Sequence, residues 1–192
     1  MDVIKLEQKN YFEVIMRTVA ALRRGSVIAV PTDTVYGLAA DATNNEAVRR
    51  LFEAKKREKD KPVPIFVDGM ELAKRVAFIE EKALEDMLKK KWPGAFTAIL
   101  YARKIVSPLA RGRGGLTVGV RVPDHRFLRD VIRAFGKPVT GTSANLSGLR
   151  PATTAEKLSL RAIDMIIDGG ICDGAPSTVV DFTVTPPAII RN

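Results

Sequence analysis

One cysteine, Cys172, and one histidine, His125, are all that 192 residues provide of the side chains most often recruited as nucleophiles and metal ligands. A lone cysteine excludes an intrachain disulfide and a multi-cysteine zinc site, and Cys172 reads as a small buried hydrophobe. A lone histidine excludes a two-histidine metal site and leaves one candidate for a histidine general base. Metal-hydroxide hydrolysis and cysteine–histidine catalysis are therefore poor starting hypotheses. Aromatic residues make up 6% of the chain, few for the stacking platforms of a single-stranded RNA surface. No run approaches the roughly 20 consecutive apolar residues of a membrane span. The start, Asp2-Val3-Ile4-Lys5 and its polar continuation, lacks the apolar block of a secretory signal. A cytoplasmic protein without membrane contact is expected. Neither a Gly-x-x-x-x-Gly-Lys-Ser/Thr phosphate loop nor a Gly-x-Ser-x-Gly nucleophile elbow occurs.

What is present is a chain with 46% hydrophobic and 28% charged residues, apolar enough to offset chain entropy and polar enough to dissolve. Its length suits one α/β domain spanning residues 1–192. Lys and Arg number 31 against 22 Asp and Glu, a net charge of +9. Such a surface attracts phosphate, nucleotide or nucleic acid, although a generally charged surface explains the excess equally well.

Periodicity supplies the elements. Phe12, Ile15, Val19 and Leu22 recur at helical spacing over 11–24, with Gly25 ending the helix. Val27–Val30 reads as a buried strand stopped by Pro31. A helix over 44–55 is expected, with Thr43 and Glu46 as its capping box. A strand at 64–67 precedes a helix opened by Asp68 and another near 80–91. Strands follow at 96–101 and 116–122, where alternation puts Thr117 and Arg121 on one polar face. Phe127, Leu128, Val131 and Ile132 predict a helix closed by Gly136, before a strand near 138–140. Thr153 and Glu156 signal one more helix, and strands are expected near 165–167, 178–182 and 188–190. Interleaved strands and helices argue for a mixed α/β domain with helices packed on a twisted sheet.

Three stretches carry candidate chemistry. Pro31-Thr32-Asp33-Thr34-Val35-Tyr36-Gly37-Leu38 follows a strand and aims two hydroxyls to one side, suiting a polar pocket; a locally satisfied turn is the plain alternative. Lys55-Lys56-Arg57-Glu58-Lys59-Asp60-Lys61-Pro62 gathers cations able to grip a triphosphate, or simply to solvate a helix end. Thr140-Gly141-Thr142-Ser143-Ala144-Asn145-Leu146-Ser147-Gly148 combines small residues, which let backbone approach a phosphate, with donors for oxygens that gain charge; a Ser/Asn-rich turn is the alternative. Gly112-Arg113-Gly114-Gly115 reads as a mobile loop beside Thr117.

Together with Val120-Arg121-Val122-Pro123-Asp124-His125, Ser177-Thr178-Val179-Val180-Asp181 and Ile189-Ile190-Arg191, these stretches resemble, in order and wording, the YrdC-like family. The resemblance spans nearly the whole chain. It implies a single α/β domain with a twisted mixed sheet, flanking helices and a concave positive cavity. It implies a threonylcarbamoyl-adenylate synthase, condensing L-threonine, bicarbonate or CO2 and ATP, with release of pyrophosphate and help from Mg2+ carried by ATP, without a tightly bound protein metal site. Partner proteins would then transfer the threonylcarbamoyl group to a tRNA adenosine. By motif match, Lys55, Arg57, Ser143 and Asn145 would form the reactive polar cluster. Arg57, Lys61, Thr117, Ser143 and Arg191 would grip ATP. Thr34, Arg121, the Gly141 backbone and Ser177 would hold threonine, with Arg121 on its carboxylate. Two departures stand out: Phe66 occupies a position where some relatives have histidine, and Gly148-Leu149-Arg150-Pro151 is one residue longer than the Gly-Arg-Pro form. The chain stops at Asn192, so the extra carboxy-terminal domain of longer relatives is not expected. The rival readings are an RNA-binding module without synthase activity, motivated by the cationic clusters, carbamoyl transfer to another acceptor, and a relative that keeps the fold but has lost synthase activity.

Overall fold

The computed structural model describes residues 2–58, 61–160 and 162–192. In chain order these form β1 (Asp2–Lys5), α1 (Tyr11–Arg23), β2 (Ile28–Val30), β3 (Gly37–Ala39), α2 (Asn45–Lys55), β4 (Ile65–Phe66), α3 (Met70–Val76) and α4 (Lys82–Lys91). Then come β5 (Phe96–Tyr101), β6 (Thr117–Arg121), α5 (Arg126–Phe135), β7 (Val139–Thr140), β8 (Thr142–Ser143), β9 (Met165–Asp168), β10 (Thr178–Asp181) and β11 (Ala188–Arg191).

The mixed α/β architecture is as expected, with its strands divided between two sheets. One runs β1-β9-β2-β3-β8 and the other β11-β10-β5-β6-β4-β7. Both are mixed: β9 lies parallel to β1 and β2 while β3 is antiparallel to β2 and β8, and β5 is parallel to β10 but antiparallel to β6. Val27–Val30 is fully buried, as a strand covered on both faces must be. Helices α1 and α5 pack together through Tyr11, whose hydroxyl donates to Asp130 at 2.8 Å and whose ring meets Phe127 edge-on at 5.9 Å between centroids. No helix among the described residues is long and apolar enough to cross a membrane.

The chain changes sheet between β3 and β4, between β7 and β8 and between β9 and β10, and the second of these crossings takes a single residue, Gly141. Two constraints shape this crossing. A Cβ on Gly141 would lie 2.8 Å from the Phe66 ring, so only glycine fits there without displacing that ring. Beside it, the Thr140 hydroxyl donates to Leu38 O at 3.0 Å and accepts from Ala40 N–H at 2.9 Å, stitching β7 to the end of β3.

Several local expectations give way to tertiary context. The helix expected from Thr153 and Glu156 is only a 3-10 turn at Ala155–Lys157; Ala152, Ala155 and Leu160 are buried one by one rather than as a helical stripe. The cap of α2 is Asn44, accepting from Glu46 N and Ala47 N, because Thr43 turns its hydroxyl to Asp41 at 2.6 Å. Gly69, not Asp68, precedes α3. Phe12 is 81% exposed, since the buried stripe of α1 centres on Val14, Ile15, Thr18 and Leu22 and leaves Phe12 on its flank. Strands β1, β3 and β8 carry no periodic signal of their own, being short segments completed by their neighbours.

Strand β4 joins core to site: Ile65 is fully buried between β6 and β7, and Phe66 reaches the cleft. Ile65→Ala is expected to cost about 2–5 kcal/mol through lost burial and a residual cavity. Urea denaturation checks this through a lower midpoint, and an unchanged midpoint would show that β4 is not part of the cooperative core.

Candidate active site

The site is built from the end of α2 outward. Lys56 adopts the left-handed conformation, φ 49°, and its N–H closes on Phe52 and Glu53 carbonyls. This turn sends the two flanking cations in opposite directions. Lys55 is 1% exposed, whereas Arg57 lines a cleft. The Lys55 ammonium donates to Ser143 O, to Asn145 O at 2.8 Å and to Asn145 Oδ1 at 3.5 Å. Three acceptors match the three N–H donors of a charged ammonium. Burial, reinforced by the charge of Arg57, pulls its pKa down from 10.5 to about 8. Arg57, itself lowered by burial, donates from Nε to Lys61 O at 3.0 Å and from Nη2 to Pro62 O at 2.9 Å.

The segment after β2 forms a second wall. Thr32 and Thr34 hydroxyls lie 3.0 Å apart, and Thr32 donates to Val35 O at 2.7 Å. With its single proton so used, Thr32 must accept from the Thr34 hydroxyl. Thr34 in turn accepts from Arg121 Nη1 at 3.2 Å. Arg121 is 4% exposed, pairs with Asp33 at 2.7 Å and donates from Nε to Gly94 O at 2.9 Å. These contacts employ three of its five N–H bonds and lock the guanidinium plane, 5.7 Å from the centre of the Phe66 ring. Gly174 sets the Asp33 backbone: a Cβ there would come within 2.2 Å of Asp33 O.

Strands β5, β6, β10 and β11 supply the floor. Thr117, Gly119 and Arg121 alternate onto the cleft, as strand periodicity requires. Ser177 Oγ lies 2.9 Å from Thr97 Oγ1, and Arg191 donates to Ser177 O at 3.0 Å and to Ser177 Oγ at 3.1 Å.

The resulting cleft of about 480 Å³ lies on one face of the second sheet and is closed on one side by residues 32–37 and β8. It brings together Thr34, Arg57, Lys61, Thr117, Arg121, Gly141, Ser143, Ser177 and Arg191, all of them singled out in the sequence. Lys55 and Asn145 do not line it. Asn145 donates from its amide to Leu146 O at 2.8 Å and to Leu149 O at 2.7 Å, so both residues brace the 143–149 turn from behind. Gly141, which lines the cleft, donates its N–H to Pro64 O at 2.7 Å. His125 is also outside the cleft; its Nδ1 is buried without a hydrogen-bond partner among the described residues, and burial lowers its pKa.

The wall includes four cations and, among the described residues, no carboxylate. Asp33, although adjacent in sequence to the cleft residues, turns its charge onto Arg121. Sequence reasoning missed Asp33 as a holder of Arg121 and the apolar shelf of Ile99, Val179 and Ile190, and it noted Phe66 only as a departure, whereas Phe66 lines the cleft. The signal for Asp33 was its place between two threonines that reach the site; the shelf is a product of sheet geometry. Such a cleft fits a polyanion beside a flat apolar group and a small ligand bearing a carboxylate.

The family model for Sua5, YciO and YrdC, described as telomere recombination, matches residues 20–192. The chain belongs to this family. It is 37% identical over 174 residues to a threonylcarbamoyl-AMP synthase of Pyrococcus abyssi, covering 88% of this chain and 51% of that protein. It is 39% identical over 184 residues to a Bacillus subtilis protein of the same name, covering 92% and 52%. It superimposes on the crystal structure of P. abyssi Sua5 complexed with L-threonine with a TM-score of 0.92 and 34% identity, covering 100% of this chain and 57% of that one. The chain thus spans about half the length of these relatives.

Lys55 makes stability depend on pH. Between about pH 8 and the ordinary 10.5 the folded chain holds Lys55 neutral while the unfolded chain holds it charged, so unfolding takes up a proton and stability rises with pH. Relative to Lys55→Met, wild-type stability should climb through that window by at most about 1.4 kcal/mol per pH unit. Urea denaturation of both chains across the window measures it; a pH-independent difference would refute the linkage.

Proposed function

We propose that this chain is an L-threonylcarbamoyladenylate synthase, a nucleotidyltransferase that condenses L-threonine, bicarbonate or CO2 and ATP. The observation that carries the reading is a single cleft in which cations suited to a triphosphate and a locked arginine suited to a carboxylate face the same space. The names of the relatives and the threonine complex of P. abyssi Sua5 support it.

In this reading threonine's neutral amine forms an N–C bond to CO2 as one C–O π bond opens, and it gives up an N–H proton to solvent, leaving a carbamate. A carbamate oxygen attacks the α-phosphorus of ATP, the new P–O bond forms as the bond to the β-phosphate's bridging oxygen breaks, and pyrophosphate leaves. Negative charge grows on the α-phosphate and the leaving group, and fixed cations and oriented donors lower that barrier. Arg57, Lys61, Thr117, Ser143 and Arg191 would grip the nucleotide and its phosphates. Thr34, Arg121, the Gly141 backbone and Ser177 would hold threonine, with two free N–H bonds of Arg121 on its carboxylate. Lys55 and Asn145 would act as positioning residues, holding Ser143 at the reacting phosphate. Catalysis would then rest on placement and charge, with no covalent enzyme intermediate.

Magnesium would enter with ATP as part of the substrate. The donor set does not suit a resident ion: no three His, Cys, Asp or Glu side chains converge among the described residues, and the described cleft wall has no carboxylate. The product would pass to cytoplasmic proteins that transfer the threonylcarbamoyl group to a tRNA adenosine.

With Mg·ATP, bicarbonate and threonine, the purified chain is expected to release pyrophosphate in a threonine-dependent manner. No stimulation by threonine in a folded sample sinks the synthase reading, and stimulation by a different carbamoyl acceptor redirects it. Arg57→Ala and Ser143→Ala should each lower turnover at least about tenfold, while stability stays within about 1 kcal/mol. A normal rate in either variant removes that residue from the reacting cluster.

A further inference from the structure

The glycine-rich loop between Arg111 and Thr117 is tied to its own strand and to β10 by hydrogen bonds. Arg113, Gly114 and Gly115 all sit at positive φ, 45°, 65° and 90°, and Arg113 accepts a strain that the two glycines do not feel. Three N–H groups, those of Gly115, Leu116 and Thr117, converge on Gly112 O within 3.1 Å, and Gly112 N–H returns to Thr117 O at 2.8 Å. What holds Arg113 in its strained position is a fork across the sheet. Its Nη2 donates to Asp181 at 2.6 Å and its Nη1 to the Thr183 hydroxyl at 2.7 Å. Asp181 is a fixed anchor: its side chain is only 3% exposed, and its other oxygen accepts from Thr183 N–H and hydroxyl at 2.8 and 2.6 Å.

The loop touches the nucleotide end of the cleft through two neighbours. A Cβ on Gly112 would lie 3.0 Å from Thr117 Oγ1 and 3.1 Å from Pro62 Cγ, so Gly112 packs directly on both. Pro62 O and Lys61 O are the carbonyls that hold the Arg57 guanidinium. Val63 N–H also bonds Ala110 O at 3.2 Å, tying the two segments together. A continuous line of contacts therefore runs from Asp181 through Arg113 and Gly112 to Pro62 and Arg57. The Arg121 end of the cleft has its own anchors in Asp33, Thr34 and Gly94.

We propose that Arg113, clamped by Asp181, is a positioning residue that sets the polyphosphate-binding half of the cleft without touching the ligand. The inference rests on the synthase reading for its meaning in turnover, but its binding test does not. Arg113→Gly is the informative variant, because glycine keeps the positive-φ backbone without strain and removes only the fork. Arg113→Lys restores one charge contact without the planar two-pronged geometry, and Asp181→Asn weakens the same link from the buried side.

Calorimetric titration with inorganic pyrophosphate, Mg·ATP and L-threonine separates the outcomes. Arg113→Gly should bind pyrophosphate and Mg·ATP about tenfold more weakly than wild type, with threonine affinity within about twofold. Arg113→Lys should fall between them, and Asp181→Asn should follow Arg113→Gly. Unchanged pyrophosphate affinity in Arg113→Gly, or an equal loss for threonine and pyrophosphate, overturns the proposal. Wild type that binds pyrophosphate but neither ATP nor threonine overturns the synthase reading instead, and the pyrophosphate series still decides the role of Arg113.

Discussion

The site depends on a buried ammonium. Lys55 ends α2, and by donating to Ser143 O and both oxygens of Asn145 it binds the helix to the turn that follows the sheet crossing. A charge without a carboxylate partner is costly in an apolar interior, and only a full set of carbonyl acceptors keeps it tolerable. That requirement dictates the conformation of residues 143–145. The next helical position, Lys56, must then turn left-handed for Arg57 to escape to the cleft. One buried nitrogen thus fixes the relation between a cation, a hydroxyl and the crossing of the chain at Gly141.

The remaining charges follow a common plan. Carboxylates near the cleft hold cations from outside it: Asp33 grips Arg121, and Asp181 grips Arg113. The described wall is left with cations, hydroxyls and apolar surface. Positive potential inside a partly enclosed cleft concentrates anions, and low-dielectric walls strengthen each contact relative to water. Preorganised arginines, with their planes fixed by carbonyl and carboxylate partners, need little rearrangement when charge develops on a phosphate. The same economy explains why the single histidine and cysteine have no place in the cleft: His125 and Cys172 are sequestered, and their pKa values are shifted away from the charged forms by burial.

Much of this was legible before any coordinates. The helices at 11–23, 45–55 and 126–135 and the strands at 96–101 and 117–121 have strong periodic signals, and each forms. The candidate ligand-facing residues of the motifs converge on one cleft because those motifs end strands or helices, where side chains are free of ladder and core duties. The failures have physical causes. The three-residue turn at Ala155–Lys157 starts from Thr154 with no side-chain cap, so the Thr153–Glu156 spacing occurs here without a helix. Asn44 and Thr43 compete for one cap, and Asp41, two residues before Thr43, decides the contest by taking its hydroxyl. Lys55 and Arg57, two residues apart in a cationic run, are indistinguishable in sequence but opposite in environment.

The sequence alone determined the mixed α/β class, the positions of its longest elements and the identity of the groups able to bind anions, because periodicity and side-chain chemistry are local properties. Tertiary structure decided that the strands form two sheets and that the shortest crossing between them falls at Gly141, since the close approach there depends on the Phe66 ring in another strand. It also decided which cation is spent on carbonyls, which is held by a carboxylate and which faces the cleft. Those are questions of partner and burial, and the partners lie as far apart along the chain as Lys55 and Ser143, Asp33 and Arg121, or Arg113 and Asp181.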